Sequence, residues 1–336
     1  MPRIRQTDLK TVGISLLGAG LSAALIIALT HNRVDGTDFL SFYAGGRLAV
    51  TGHLYDPQAI WKAQFEAAGR YGPGLLFIRL PCFALFLWPL AQASYGTARV
   101  IWLAINIAAV ATAVWLWPGS RKLAAIVACW SFPVFMCLGD GTDTLFLFLW
   151  LVLWRRSELK NRQFWAGLAL SLCVAKFHLF LLLPLALVRH RRWSEIRGSA
   201  IGISILLIAS FVGAGWHWPA RYLHVLTLPE LNPARVVMPN IHGLVSPGLE
   251  TPMVALTLIL TCLAILKLDY TDSTIAALIG SFLCSYHAYV MDGVILLPVI
   301  LMVIEKHRSR PPTWPAYAAA FFITPIPWLA VLMRGP

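Results

Sequence analysis

The chain has 336 residues, 58% of them hydrophobic and only 12% charged, with a formal net charge of +12 and a mean hydropathy of +0.71. Soluble domains carry about 25% charged residues, so this composition excludes an ordinary soluble protein. Apolar runs recur from end to end and are continuous rather than alternating, which excludes a β-barrel and predicts an all-α, polytopic helical membrane protein. The basic residues fall in short clusters between apolar runs, as they do in inner-face loops, so no nucleic-acid partner is expected.

In chain order, the first run, Thr11 to Thr30, is long for a secretory h-region and has no small-residue cleavage site after it. A retained span is expected. The stretch DGTDFLSFYAGGRLAVTGHLYDP follows, Asp35 to Pro57, with the carboxylates Asp35, Asp38 and Asp56. Asp56 precedes Pro57 and reads as a helix N-cap. Asp38, which opens DFLSFY, reads as a general base able to take a proton from an attacking hydroxyl. Residues 72–92 are apolar but contain Pro73, Pro81, Pro89 and Arg79. They read as a helix lying in the outer leaflet rather than a crossing. Further spans are expected at 97–117, 122–138, 142–154, 163–175, 177–188, 198–215, 252–267, 273–288, 290–304 and 314–332, about eleven in all with the first. Three of these (142–154, 163–175 and 177–188) are short for a bilayer, which leaves two readings: the spans extend into their polar flanks, or the membrane thins over a cavity. Residues 1–336 are expected to form a single integral-membrane domain, with extracytoplasmic loops at 31–96 and 216–250.

Charge decides the orientation. With a cytoplasmic N-terminus and no crossing at 72–92, seventeen of the 27 basic residues face the cytoplasm, with six acids. The remaining ten bases and nine acids face outward, a positive-inside pattern. If 72–92 crossed, RRSELKNR and RHRRW would lie outside.

This topology gathers the unusual polar groups on the outer face, where ionisable residues at or within spans face a cavity or one another. Lys176 sits between two short apolar runs and suits a phosphate as a point charge; the bland reading is a snorkelling lysine. His178 and His287 suit hydrogen bonds to a phosphate or sugar. Arg79 and Arg99 bracket the leaflet segment and suit an anionic headgroup or diphosphate. Asp140 and Asp143 flank a glycine turn and read as turn and cap residues. Trp216 to Glu250 is long and polar, and its Asn240 and His242, with Tyr286 and Asp292 of SYHAYVMD and with Asp35, a neighbour of Asp38 that reads as a cap or as sharing its charge, complete the candidate substrate-binding set. The aromatic residues there also suit an interfacial belt. No Walker, G-x-G-x-x-G or H-E-x-x-H motif occurs, and the six cysteines have no metal spacing. Neither a metal nor a cofactor is expected.

The chain resembles glycosyltransferase family 87, membrane enzymes of the C-type (GT-C) fold. The resemblance rests on Asp38-Phe39, Phe42-Tyr43, Ala44-Gly45-Gly46-Arg47, Gly52 and Tyr55-Asp56; on Leu80-Pro81 and Trp88-Pro89-Leu90-Ala91; on Ala98 to Trp102; on Lys176 followed by Arg191-Arg192-Trp193; and on Met238 to Leu244 and Ser285 to Asp292. It implies a sugar donor attached to a polyprenyl phosphate, used outside the cytoplasm on a glycan or glycolipid acceptor. It assigns the base to Asp38 and the lipid-phosphate contacts to Lys176 and His287. The implied setting is the bacterial cytoplasmic membrane with the lipid bilayer as partner, and the implied transfer is that of a hexose or pentose, mannose among them, with inversion. Departures from the family's pattern at Arg79-Leu80-Pro81, Gly139 to Asp143, Lys176-Phe177 and Met291-Asp292 leave the sugar open. A lipid-linked-sugar flippase or small-solute transporter, and a structural partner in envelope-polysaccharide assembly, share the same apolar frame. Alternating access would place polar groups near the midplane of both halves, whereas here they gather on one face.

Overall fold

The computed structural model describes residues 6–30, 38–231, 235–307 and 314–333, and these contain helices and no strand. An α-helix satisfies its own backbone hydrogen bonds, which lipid cannot do, so the apolar composition and the helical fold have one cause. α1 is Gln6–Thr30. α2 (Asp38–Leu48), α3 (Pro57–Ala68) and α4 (Pro81–Leu87) form the first loop. α5 (Tyr95–Leu116), the pair α6 (Arg121–Trp130) and α7 (Phe132–Asp140), and α8 (Thr144–Leu159) follow. α9 (Gln163–Ser171) runs into a 3₁₀ stretch, Leu172–Phe180, before α10 (Leu183–Arg189) and α11 (Trp193–Ala214). α12 (Trp218–Leu226) and α13 (Ile241–Leu244) belong to the second loop. α14 (Pro247–Lys267), α15 (Tyr270–Cys284), a 3₁₀ turn at Val290–Ile295, α16 (Leu296–His307), α17 (Trp314–Ile323) and α18 (Ile326–Leu332) complete the chain.

Among the described residues four helical segments are long and apolar enough to cross a bilayer alone: Tyr95–Leu116, Gln163–Phe180, Trp193–Ala214 and Pro247–Lys267. A fifth crossing is available if α6 and α7, bent by 62° at Ser131, count as one. The other apolar runs are cut into shorter pieces. Proline explains several cuts: Pro133 opens α7, Pro184 opens α10, and Pro325 and Pro327 start α18. The 72–92 segment is not one helix. Seven residues from Pro81 are α-helical and Leu90–Gln92 form a 3₁₀ turn, because each proline removes a donor that a continuous helix needs.

α9 and α11 run side by side in the same direction. A Cβ on Gly167 would strike the carbonyl of Glu195, and one on Gly198 would strike that of Phe164. The two backbones touch, as small residues allow in membrane helix pairs. Since both helices start at the same end, the chain between them must go out and return. Lys176 is the break in that hairpin, with φ −133° and ψ 53° inside otherwise helical backbone. Irregular backbone at membrane depth is tolerated only against protein or a polar cavity, and Lys176 is buried against protein with its amine among polar partners.

The basic turns meet at one end. Arg192 approaches Glu158 and binds Glu195, whose carboxylate also accepts from Trp154 and Tyr270. Lys306 binds Asp272, and Glu305 accepts from Ser120 and Trp117. The opposite end carries the first loop, which has a core of its own built on Phe39, Phe42, Tyr43, Tyr55, Phe77 and Trp102. α2 packs closely there, since a Cβ on Gly45 would strike the Phe77 ring and one on Gly46 would reach 3.0 Å from the Leu87 carbonyl. Asp56 is the expected N-cap: its Oδ1 accepts from Gln58 N at 3.0 Å and Pro57 takes the first turn.

Candidate active site

Four charged side chains from four separate stretches of the chain converge near Asp38 at the start of α2. Lys176 Nζ donates to Asp292 Oδ1 at 2.6 Å and to Thr144 Oγ1 at 2.7 Å, and lies 3.9 Å from Asp143 Oδ1. Arg79 grips Asp143 in a fork, Nε to Oδ2 at 2.7 Å and Nη2 to Oδ1 at 2.9 Å. Asp292 is further fixed by Tyr289 N, which donates to its Oδ2 at 2.9 Å. None of the four is more than 7% exposed. Charges so buried survive only when paired and hydrogen-bonded, and this ladder pairs two cations with two anions.

Asp38 stands at the first turn of α2, half-buried, within the field of all four. Burial pushes its carboxyl above the usual carboxylate range, while Lys176 first and Arg79 second pull it back down. A carboxylate so placed gains basicity from desolvation and remains exposed enough to meet a ligand. His178 and His287 stand edge to face with ring centroids 6.2 Å apart, and Tyr289 lies 4.7 Å from His287. The Nε2 of His178 is buried with no hydrogen-bond partner among the described residues.

An apolar cavity of about 370 Å³ adjoins this cluster. Its wall includes Leu80 and Ala175, which are the chain neighbours of Arg79 and Lys176. Phe83 and Phe86 of α4, Phe146 and Trp150 of α8, and Leu206 of α11 line the rest. An amphiphile with an anionic head and an apolar tail fits this order of surfaces.

The residues expected from sequence divide into groups. Asp38, Arg79, Lys176 and Asp292 come together, with His178 and His287 close by. Arg79 is held by Asp143 and Lys176 by Asp292, so both cations meet an anion from within ion pairs. Arg99 is exposed and lines a different cavity, against Trp102 and Asn106. Asn240, His242 and Tyr286 form an outer set. Asn240 donates to the Ser285 carbonyl at 2.6 Å, His242 pairs with Glu250 at 2.6 Å, and the His242 ring lies 5.8 Å from the exposed Tyr286. Asp35 lies outside the described residues. Sequence reasoning missed Asp143, which read as a turn or cap residue; its side chain makes no cap hydrogen bond and holds both cations instead. Thr144 was missed with it. The available signal was an arginine and a lysine near spans with too few acids assigned to balance them. No group of three metal-ligating side chains occurs among the described residues.

A family model for glycosyltransferase family 87 matches residues 77–291, which hold Arg79, Asp143 and Lys176. No curated protein and no solved structure is significantly similar to the chain.

Proposed function

The chain belongs to glycosyltransferase family 87 and is a membrane glycosyltransferase, and on that premise we propose that it takes a sugar from a polyprenyl-phosphate donor with Asp38 as base. One observation carries the reading: Asp38 lies in the field of Lys176, and the apolar cavity of about 370 Å³ is walled by Ala175 and Leu80, the chain neighbours of Lys176 and Arg79. The polyprenyl tail lies in that cavity between α4, α8 and the 3₁₀ stretch. The donor phosphate sits over Lys176, with His178 and His287 as further hydrogen-bond partners. The acceptor hydroxyl attacks the anomeric carbon from the Asp38 side. Its proton passes to the Asp38 carboxylate, the new carbon–oxygen bond forms, and the bond to the phosphate oxygen breaks with its electrons leaving on the phosphate. A single displacement inverts the anomeric centre. Fixed cations in a site screened from water stabilise the departing anion without reorganising. Arg79 contributes by holding Asp143 and adding positive field.

The acceptor is an envelope glycan or glycolipid, and the site faces outward, since the basic turns cluster at the other end as cytoplasmic loops do. The first-loop core at 38–102 works as a lid-like platform that carries Asp38. Incubating membranes with a panel of polyprenyl-phosphate sugars, and following transfer by mass, tests the donor class. Transfer from a nucleotide sugar, with none from any lipid-linked sugar, would remove the proposal.

A further inference from the structure

Two of the larger cavities, of about 370 and 390 Å³, are lined almost wholly by apolar side chains. A smaller one, about 140 Å³, is different in kind. It lies between α5 and α7, walled by Trp102, Leu103, Gly139 and Gly141, with Arg99 and Asn106 also on its surface. Asn106 is 1% exposed. Its amide nitrogen donates to the Trp102 carbonyl at 2.9 Å, which settles which way the amide faces. The amide oxygen is left buried with no partner among the described residues. A buried acceptor without a donor is costly, so this oxygen wants a hydroxyl or amine from a ligand. Arg99 is exposed and has no acidic partner among the described residues, so its guanidinium is free for an anion.

The cavity also adjoins the reacting centre. Trp102 Nε1 donates to the Gly141 carbonyl at 2.7 Å, and Phe39 stacks on the Trp102 ring with centroids 5.9 Å apart. Gly141 has φ +67°, and a Cβ there would come 2.8 Å from Phe39 Cβ. The wall is therefore tight, and Phe39 is the chain neighbour of Asp38.

We propose that this cavity binds the acceptor's head group, an anionic and hydroxyl-bearing membrane lipid head, with the anion on Arg99 and a hydroxyl on Asn106 Oδ1. The inference rests on the glycosyl-transfer reading for the word acceptor, but the binding it describes is independent of turnover. Any sugar acceptor must present hydroxyls. The donor tail occupies the apolar groove among α4, α8 and α11, which leaves this polar cavity to the second substrate.

The test is lipid retention by the full-length protein purified in detergent, counted by native mass spectrometry. Phosphatidylglycerol serves as the anionic, hydroxyl-bearing probe and phosphatidylcholine as the zwitterionic control. The wild type is expected to retain phosphatidylglycerol over phosphatidylcholine. Retention should fall by about tenfold or more in Asn106→Leu and in Arg99→Gln, as loss of one hydrogen bond or one charge contact implies. Leu103→Trp, which fills the cavity without removing either polar group, should give the same loss. Asp38→Asn should retain the lipid while losing transfer, so a failure of the base assignment is seen separately. A loss in Arg99→Gln alone, with Asn106→Leu and Leu103→Trp retaining lipid, would mean an ordinary interfacial arginine and overturn the site. Displacement of the lipid by millimolar inorganic phosphate would overturn the lipid assignment in favour of a free anion.

Discussion

Asp143→Asn should be among the most damaging single changes in the protein, although sequence alone marks this residue as a turn former. Its carboxylate lies 2.7 and 2.9 Å from Arg79 and 3.9 Å from Lys176. With an effective dielectric near 20, the first contact is worth about 6 kcal/mol of direct attraction and the second about 4 kcal/mol before desolvation is counted. Desolvation offsets much of that attraction, and the net cost of breaking a buried pair, about 3–5 kcal/mol, is the penalty on the charge left stranded. Asp143→Asn strands Arg79, whose forked acidic partner is Asp143. Arg79→Met strands Asp143 less severely, since Lys176 remains 3.9 Å away. The double variant strands neither. Thermal melting in detergent micelles should therefore rank Asp143→Asn lowest, then Arg79→Met, with the double variant above Asp143→Asn and a coupling of about 3 kcal/mol or more. Losses that simply add in the double variant would refute the ladder.

Lys176→Gln should lower transfer by about 10²–10³-fold, the usual cost of removing one preorganised stabiliser of a developing anion; initial rates with saturating donor measure it. Ala175→Trp, which fills the apolar groove beside Lys176, should raise the donor KM far more than it changes the acceptor KM, and an equal rise in both would argue against a tail in that groove. The pH dependence follows from Asp38. A base must be deprotonated, and burial raises the Asp38 carboxyl, so transfer should fall with acidification at a pH above the ~3.9 of a free aspartate. Because Lys176 lowers that value, Lys176→Gln should move the acid limb to higher pH, and a shift to lower pH would contradict the arrangement. Gly45→Leu should unfold the first loop, since the added side chain must enter the Phe77 ring; retention of a wild-type melting profile would show that α2 does not pack as described.

The fold class was legible in sequence because one solvent sets it. Continuous apolar runs admit helices and little else in lipid. Individual crossings were less legible. Proline cuts such as those at Pro81, Pro133 and Pro184 are visible as letters, but whether a cut ends a helix or merely bends it depends on what packs beside it. The candidate site was half legible. Lys176, Asp292 and Asp38 stood out because a charge among apolar residues needs a reason. Asp143 did not, because an aspartate just ahead of a helix, two residues past the turn glycine Gly141, has an easy local explanation, and its partner Arg79 is 64 residues away in sequence. Asn106 was invisible for a related reason. A single amide in a long apolar helix carries no pattern, and its meaning comes from an oxygen left without a donor.

The central claim is that Asp38 takes the proton of the attacking hydroxyl. The most direct measurement compares Asp38→Asn with the wild type in purified, lipid-reconstituted protein supplied with the sugar donor that the wild type is found to use. Asparagine keeps the size and removes the basicity. The expected result is a loss of transfer with unchanged melting temperature and unchanged donor binding. Turnover near the wild-type rate would place the base elsewhere and contradict the account.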